Sequence, residues 1–227
     1  MKNVHIIGAS RGIGLELVKQ HADAGDRVYA YARNPSESDE LTALANANDS
    51  ISAHEMDMAE DASVASGAAD SGSDPVDLLW VVGGVSGKTE PMLDPGDWES
   101  FDNSIEINMK GPLRVLRAFL PRLREGSKAI SFSSQLAAST WPYGGFYPYV
   151  ASKSGMAGIM RAAALDLKDK GIIVGVVHPG WVQTDMGGEQ ADITPGQSAT
   201  GLRKVAEKWT INETGAFYNW DGNKHAW

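Results

Sequence analysis

Two side chains able to move a proton, Tyr149 and Lys153, stand four positions apart at the start of a segment with helical spacing of its apolar residues. Side chains four residues apart share one face of a helix, so the phenol and the ammonium group can interact. A free phenol has a pKa near 10, about three units too high for efficient proton transfer at neutral pH. One cation about 4 Å away, at an effective dielectric constant near 20, supplies the roughly 4 kcal/mol that this gap requires. The pair is therefore a candidate acid–base site, although the same spacing also arises by chance on solvated helices.

Three glycines, Gly8, Gly12 and Gly14, lie where the first strand-like run gives way to a helical pattern that continues through Ala24. Glycines there allow a tight turn, let a phosphate approach the backbone and leave room for the helix to pack on the strand. A glycine trio is weak evidence by itself, but its place at the first strand-to-helix connection indicates dinucleotide binding. We expect these turn residues to contact the cofactor: Gly8, Ser10, Arg11, Gly12, Ile13 and Gly14.

The end of the second strand-like run distinguishes between the two nicotinamide dinucleotides. NAD-binding proteins generally carry an acidic residue there, which binds the ribose hydroxyl groups. This chain has Ala32 at that place, followed by Arg33, and Arg11 lies in the glycine turn. Two cations suit a 2′-phosphate, so we expect NADP (NADPH) rather than NAD. The alternative is that both arginines are ordinary surface residues.

Strand-like and helical segments alternate along the chain. Apolar runs rich in Val and Ile suit parallel strands that are covered on both faces. Such alternation implies right-handed crossovers and a doubly wound sheet. The sequence therefore predicts an α/β fold, with a Rossmann-type parallel sheet of about seven strands in a single domain over residues 1–227. The Ser-, Asp- and Gly-rich stretch Ala65–Pro75 is predicted to be a turn. The predicted strands are Val4–Ile7, Val28–Ala32, Ile51–Ala53, Val76–Val82, Ala129–Phe132, Ile172–Val177 and Ala216–Tyr218.

Composition excludes several kinds of protein. The 227 residues include no cysteine, so disulfide scaffolds, thiolate metal sites and cysteine nucleophiles are excluded. The net charge is −9, and residues 35–77 hold eleven acidic residues and no Lys or Arg, which disfavours nucleic acid as a partner. The five histidines show no metal-ligand spacing. With no signal-like N-terminus and no apolar run near the roughly 20 residues of a membrane span, we expect a cytoplasmic protein.

The catalytic tetrad of a known family has counterparts in the same order: Asn108, Ser134, Tyr149 and Lys153. The glycine spacing of the first turn matches that family's fingerprint, and the residues after His178 match its P-G-x-V-x-T segment. From the first strand to the C-terminus, the chain resembles the short-chain dehydrogenase/reductase family. Pro179–Gly188 and Phe217–Gly222 are most similar to the branch of C-factor and Sniffer-type carbonyl reductases.

The resemblance implies a role for each member of the tetrad. Tyr149 would protonate the carbonyl oxygen during reduction and accept the proton in the reverse direction, while Ser134 would hold that oxygen against the phenol. Lys153 would lower the phenol pKa and bind the nicotinamide ribose, and Asn108 would bind a water that relays protons. Further cofactor contacts implied by the resemblance, besides Tyr149, Lys153 and Arg33, are Asp57, Met58, Gly83, Gly84, Pro179, Gly180, Val182 and Thr184.

Together these features predict an NADPH-dependent reductase of small carbonyl compounds, which in reverse would oxidise a secondary alcohol. Two alternatives stay open: a dinucleotide-binding sensor of the C-factor type, and an NAD-linked alcohol or dihydrodiol dehydrogenase. Val81-Val82, where the family usually has two asparagines, gives some weight to the sensor and bears on cofactor affinity. We also expect a homodimer or homotetramer, with no nucleic acid or membrane partner.

The segment Trp181–Gly196 combines paired glycines, acidic residues and a late proline. This composition predicts a mobile flap that orders over the cofactor. Trp141, Trp181 and Met186 are candidates for lining a substrate pocket, with an ordinary place in the core as the alternative.

Overall fold

The computed structural model describes residues 1–87 and 98–227. Within them, seven strands form one parallel sheet in the order β3-β2-β1-β4-β5-β6-β7, which confirms the predicted doubly wound α/β architecture. Val, Ile and Leu fill the strands because helices cover both faces of the sheet. The strands are β1 (Asn3–Ile7), β2 (Arg27–Ala32), β3 (Ile51–Glu55), β4 (Val76–Val81), β5 (Leu123–Phe132), β6 (Ile173–His178) and β7 (Phe217–Asn219).

Helices cover both faces of the sheet, so the hydrophobic core consists of two clusters, one on each face. Those of the described residues are α1 (Gly12–Asp23), α2 (Asp39–Ala47), α3 (Asp61–Asp70), α4 (Trp98–Ile105), α5 (Gly111–Phe119), α6 (Tyr147–Leu167) and α7 (Pro195–Lys208). Apolar side chains of α1, α2 and α7 pack on one face of the sheet, and those of α3, α5 and α6 pack on the other. None of the described helices is long and apolar enough to cross a membrane.

The chain changes direction in the sheet between β1 and β4. It runs outward through β2 and β3 on one side, and then from β4 through β7 on the other. At this point the amides of Val82 and Gly83 both donate to the carbonyl oxygen of Ile7, at 2.9 and 3.0 Å. Beyond it the connections leave toward opposite faces, so a crevice opens at the carboxyl ends of the strands.

Strand β5 begins six residues before the predicted run. Leu123 pairs with Val76, and the register then shifts before Lys128 pairs with Leu78. Residues 124–127 contain two charged side chains and a glycine, which interrupt the apolar pattern on which the prediction rested. The bulge explains why the sequence showed only the second part of the strand.

The prediction that Ala65–Pro75 forms a turn is wrong for its first six residues. Helix α3 continues to Asp70, and only the stretch after it is a turn. A Cβ on Gly67 would lie 2.6 Å from the carbonyl oxygen of Glu55, so this glycine allows the helix to approach β3. Its purpose is close packing, which composition alone does not distinguish from a turn.

Two histidines are buried in the core and hydrogen-bonded there. His5 is 0% exposed, and its Nδ1 lies 2.8 Å from the hydroxyl group of Tyr31. Burial, with the charge of Arg122 as a second cause, lowers the pKa of His5 to about 2. His21 accepts a hydrogen bond from the Trp80 indole at Nε2, so its Nδ1 carries the proton toward the Asp26 carboxylate. Burial lowers the pKa of His21 as well.

We predict that the protein loses stability in mild acid because His5 cannot take up a proton without unfolding. A folded-state pKa below the unfolded value near 6.5 stabilises the fold fully above that pH, and this stability is lost as the pH falls. At pH 5 the loss from His5 is about 2 kcal/mol, by the same linkage. Urea unfolding at pH 7.5 and pH 5.0 should therefore show that His5→Gln reduces the difference between the two pH values by about that amount.

Phe119→Leu is the matched control, because the Phe119 ring contacts His5 at 5.0 Å between centroids but does not titrate. It should lower stability equally at both pH values. If His5→Gln left the wild-type pH difference intact, His5 would not be a source of the acid sensitivity.

Candidate active site

A cavity of about 570 Å³ lies in the crevice at the carboxyl ends of the strands. It brings together most of the residues that the sequence predicted, from the first turn to the start of α6. The predicted residues that line it are Gly8, Ser10, Arg11, Gly12, Ile13, Gly14, Arg33, Asp57, Met58, Gly83, Gly84, Tyr149, Lys153, Pro179 and Thr184. Four other predicted residues, Asn108, Ser134, Gly180 and Val182, are not among those that line it.

The turn between β1 and α1 requires glycine at two positions. Gly8 has a φ of +90°, and a Cβ there would lie 2.5 Å from the amide nitrogen of Gly83. A Cβ on Gly14 would lie 2.0 Å from the carbonyl oxygen of Gly8. Arg11, at the N-cap of α1, caps the helix with no side-chain hydrogen bond. The turn is therefore tightly packed on the protein side, and the first amides of α1 remain available to an anion in the cavity.

Lys153 is buried at the inner end of the cavity, with 4% of its surface exposed. Its Nζ donates to the carbonyl oxygen of Phe132 at 2.8 Å and lies 5.7 Å from the centre of the Tyr149 ring. Burial lowers the pKa of Lys153 to about 8, because desolvation penalises its charged form. The ammonium is still mostly protonated at neutral pH.

The phenol of Tyr149 keeps its proton in this structure. Burial raises the pKa of Tyr149, and a hydrogen bond with the Ser134 side chain opposes this only in part. The ammonium group of Lys153 is bonded to the Phe132 carbonyl, and the expectation that it lowers the phenol pKa stays a prediction. A protonated phenol that is bonded to a serine hydroxyl can donate a proton to a third oxygen placed between them.

Asn108 lies in a π-helical turn, Glu106–Lys110, between α4 and α5. Its Oδ1 accepts from the Val85 amide at 2.9 Å, and its Nδ2 donates to the Val85 carbonyl at 2.8 Å and to the Ser152 hydroxyl at 3.1 Å. The side chain thus fixes the segment that follows β4. The water that the resemblance implies has only the second lone pair of Oδ1 and the backbone carbonyl left to contact.

A side chain at Gly84 would displace its two polar neighbours, Asn108 and Lys153. A Cβ there would lie 2.9 Å from Asn108 Oδ1 and 3.1 Å from Lys153 Nζ. The residue therefore brings the backbone after β4 against the two polar side chains. The preceding Val81 and Val82 keep the backbone hydrogen bonds of this region, as Val82 donates to Ile7.

The outer end of the cavity carries the two predicted cations and several acids. Arg11 pairs with Asp185 at 2.9 Å, and both side chains are about three-quarters exposed, at 78% and 74%. Arg33 is exposed beside Ala32. Since exposed ion pairs contribute little stability, an anion bound here can replace Asp185 as the partner of Arg11.

Sequence reasoning missed several residues of this outer end. Lys19 pairs with Glu16 at 3.0 Å and with Glu40 at 3.5 Å, and all three line the cavity. Positions 16 and 19 follow Gly12 by four and seven residues, so helical periodicity could have placed them on the same face. No local pattern marks Asp185.

Asp57 and Met58 form the wall next to β3. The Asp57 carboxylate accepts from the Ala59 amide at 2.9 Å, which holds the turn after the strand. A Cβ on Gly83 would lie 2.7 Å from the Met58 methyl group, so the methionine packs directly on the backbone after β4. Within the described residues, no three His, Asp or Glu side chains are grouped so as to hold a metal ion.

The segment after β6 is a closed loop. Val182 pairs with Ile193, and Gln183 donates to the Ile193 carbonyl at 2.9 Å, so the two ends of the loop are joined. The Trp181 indole donates to the Gly187 carbonyl at 2.8 Å across the loop. The predicted flap Trp181–Gly196 extends too far, because its last two residues belong to α7, which begins after a capping box at Thr194.

A family profile, a relative and two solved structures are similar to this chain over most or all of its length. The sequence profile of the short chain dehydrogenase family matches residues 2–194, a range that contains every predicted site residue. The C-signal of Myxococcus xanthus is 36% identical over 158 residues, which are 67% of this chain and 93% of that protein. The carbonyl reductase Sniffer of D. melanogaster superposes with a TM-score of 0.94 at 26% identity, over 100% of both chains. NADPH-bound carbonyl reductase from chicken fatty liver gives 0.93 at 28% identity, over 100% of this chain and 99% of that one.

We predict that Lys153 titrates near pH 8, well below an ordinary lysine, because its ammonium group is desolvated. NMR titration of lysines labelled at Cε should show one such resonance, which Lys153→Met removes. Burial also lowers the pKa of Lys128, which is therefore the matched control. Lys128→Met should leave the resonance near pH 8 in place. A spectrum in which Lys153→Met removes only a resonance titrating above about pH 10 would contradict the prediction.

Proposed function

Because this chain belongs to the short-chain dehydrogenase/reductase family, we propose that it reduces a small carbonyl compound with NADPH and that Tyr149 donates the proton. One observation carries the proposal. A single cavity holds a protonated phenol beside a buried ammonium group at its inner end, and Arg11 and Arg33 at its outer end. The reverse reaction would oxidise a secondary alcohol.

The residues of the cavity fit a dinucleotide with a 2′-phosphate. The backbone at Gly8 and Gly83 leaves no room for side chains, so a phosphate can approach the first turn of α1. Arg11 and Arg33 would hold the 2′-phosphate, Asp57 and Met58 would contact the adenosine, and the residues from Pro179 to Thr184 would contact the nicotinamide. When bound, the cofactor supplies the hydride.

The proton would come from the phenol of Tyr149. Burial raises its pKa, so the group carries a proton to donate at neutral pH. The Ser134 hydroxyl, which is bonded to the phenol, would also bind the carbonyl oxygen and hold it in place for the transfer. Lys153, charged below about pH 8, would stabilise the phenolate that remains.

We predict that Tyr149→Phe lowers kcat by about 10²–10⁴-fold, since it removes the transferable proton and leaves the ring. NADPH binding, measured by fluorescence titration, should stay within about twofold because the ring is retained. Turnover is followed by NADPH absorbance with a panel of aldehydes and ketones. Tyr147→Phe is the matched control, since it makes the same chemical change two residues away on a side chain that is 38% exposed. A Tyr149→Phe enzyme with more than about a tenth of the wild-type kcat would show that another group is the acid.

A second candidate function is dinucleotide-dependent signalling, which the similarity to the C-signal of Myxococcus xanthus favours. The same panel of carbonyl compounds distinguishes a reductase from a signalling protein. A signalling protein would bind NADPH and turn over none of the compounds. Turnover that depends on Tyr149 favours the enzyme, since a sensor has no use for a proton donor.

The two arginines at the outer end of the cavity, Arg11 and Arg33, support NADPH over NADH. A 2′-phosphate carries close to two negative charges at neutral pH, and a charge-assisted hydrogen bond from an arginine contributes about 1.5–3 kcal/mol. NADH has ribose hydroxyl groups in place of the 2′-phosphate, and Ala32 offers no carboxylate to bind them. The bond between Arg11 and Asp185 is exposed, so replacing it costs little.

We predict that kcat/KM for NADPH exceeds that for NADH by about 100-fold or more, from two such bonds. Ala32→Asp combined with Arg33→Ser should reverse the preference, because the new carboxylate repels the phosphate and accepts the ribose hydroxyl groups. Arg27→Ser is the matched control, since Arg27 is an exposed arginine at the other end of β2, paired with Asp74. Equal use of both cofactors by the wild type would overturn this assignment.

A further inference from the structure

Ser134 lies on a short turn that depends on a residue from another strand. The turn follows β5, and within it the Leu136 amide donates to the Ser134 hydroxyl oxygen at 3.2 Å. The amide between these two residues, that of Gln135, donates to Nδ1 of His178 at 3.3 Å. His178 is the last residue of β6, and both it and Ser134 are buried.

The hydrogen bond from the Gln135 amide to His178 lies just beyond the last backbone hydrogen bond between β5 and β6. The last backbone link between β5 and β6 runs from the Ser133 amide to the Val177 carbonyl, at 2.8 Å. In a parallel ladder the next bond needs the amide of residue 179, which is a proline, and the bond after it would join the Gln135 amide to the Pro179 carbonyl. That carbonyl instead accepts from the Ser198 hydroxyl. The His178 ring takes its place, so β6 can turn away while the turn with Ser134 stays attached.

The surroundings of His178 keep its ring neutral. Burial lowers its pKa to about 4, and the neighbouring His225 lowers it further while Asp221 raises it. The His225 ring meets the His178 ring edge-on at 5.5 Å and is itself stacked on Phe217. A neutral ring whose Nδ1 accepts a hydrogen bond carries its proton on Nε2. Nδ1 is therefore a permanent acceptor at neutral pH.

We propose that His178 is a positioning residue for the reaction: by accepting the Gln135 amide, it fixes the backbone next to Ser134 and so aims the Ser134 hydroxyl at Tyr149. This inference rests on the proposed function, in which Ser134 holds the carbonyl oxygen. It assigns to a histidine outside the tetrad a part in catalysis that needs only its unprotonated Nδ1.

Substitutions on both sides of the hydrogen bond test the proposal. His178→Leu removes the acceptor, and Gln135→Pro removes the donor without touching the His178 pocket. Proline fits there because position 135 opens a 3₁₀ turn and Ser134 before it is extended, with φ −151° and ψ 151°. Each variant should lower kcat about tenfold with the KM for NADPH unchanged, because without this hydrogen bond the Ser134 hydroxyl is no longer held toward Tyr149. Because the same bond is removed, the double variant should be no slower than either single one.

Two controls separate this role from a general loss of structure. His178→Asn keeps an acceptor, and Gln135→Ala keeps the backbone donor, so both should retain kcat within about threefold. In a Ser134→Ala background, His178→Leu should have no further effect on kcat, because it acts through the serine. Gln135→Pro also decides the outcome if His178→Leu does not fold.

The proposal is overturned if His178→Leu and Gln135→Pro match the wild-type kcat, if their effects multiply, or if His178→Leu still costs tenfold without Ser134. Failure of the proposed function has a different signature. In that case the wild type would turn over none of the carbonyl compounds, or Tyr149→Phe and Ser134→Ala would themselves leave turnover unchanged.

Discussion

The close approach of β1 and β4 is the contact on which the rest of the molecule depends. Two successive amides after β4 share the Ile7 carbonyl, and Gly8 lies so near Gly83 that a Cβ on Gly8 would overlap the Gly83 amide. Because the connections leave this point toward opposite faces, the contact opens the crevice and brings the N-terminus of α1 to its rim. The same backbone continues to Gly84, which touches Asn108 and Lys153. A few glycines thus connect the sheet, the turn between β1 and α1, and the side chains of Asn108 and Lys153.

The buried ammonium group of Lys153 lowers the stability of the fold. A buried ammonium group costs free energy, and here its hydrogen-bond partner is a backbone carbonyl at the end of β5. The cost appears as a pKa that lies well below the ordinary lysine value. Burial also lowers the pKa of the core histidines His5 and His21, but these side chains remain neutral and are bonded to neighbouring side chains. At the crevice, by contrast, Lys153 keeps a buried charge.

The sequence predicted those features that local patterns determine. Apolar runs placed all seven described strands, and the glycine turn and the Tyr149–Lys153 spacing placed most of the cavity wall. The errors arose where distant residues decide: the bulge that begins β5 at Leu123 depends on pairing with Val76, and Gly67 serves packing against β3. Asp185 and His178 escaped notice for the same reason, since their partners are remote in the chain. The raised pKa of Tyr149 reflects burial, which spacing does not reveal.

The loop after β6 has a consequence for how such a protein can diversify. Its two ends are joined where Val182 pairs with Ile193, and its remaining hydrogen bonds run largely within itself. A segment whose ends are joined in this way forms a structural module. Its length and residues can change while β6 before it and the capped helix α7 after it stay in place. Doubling the length of a flexible loop costs only about 0.6 kcal/mol in closure entropy. Met186, half exposed on the cavity wall, belongs to that module. Exchanging the loop between relatives would therefore alter the entrance to the crevice and leave Tyr149 and Lys153 of α6 in place.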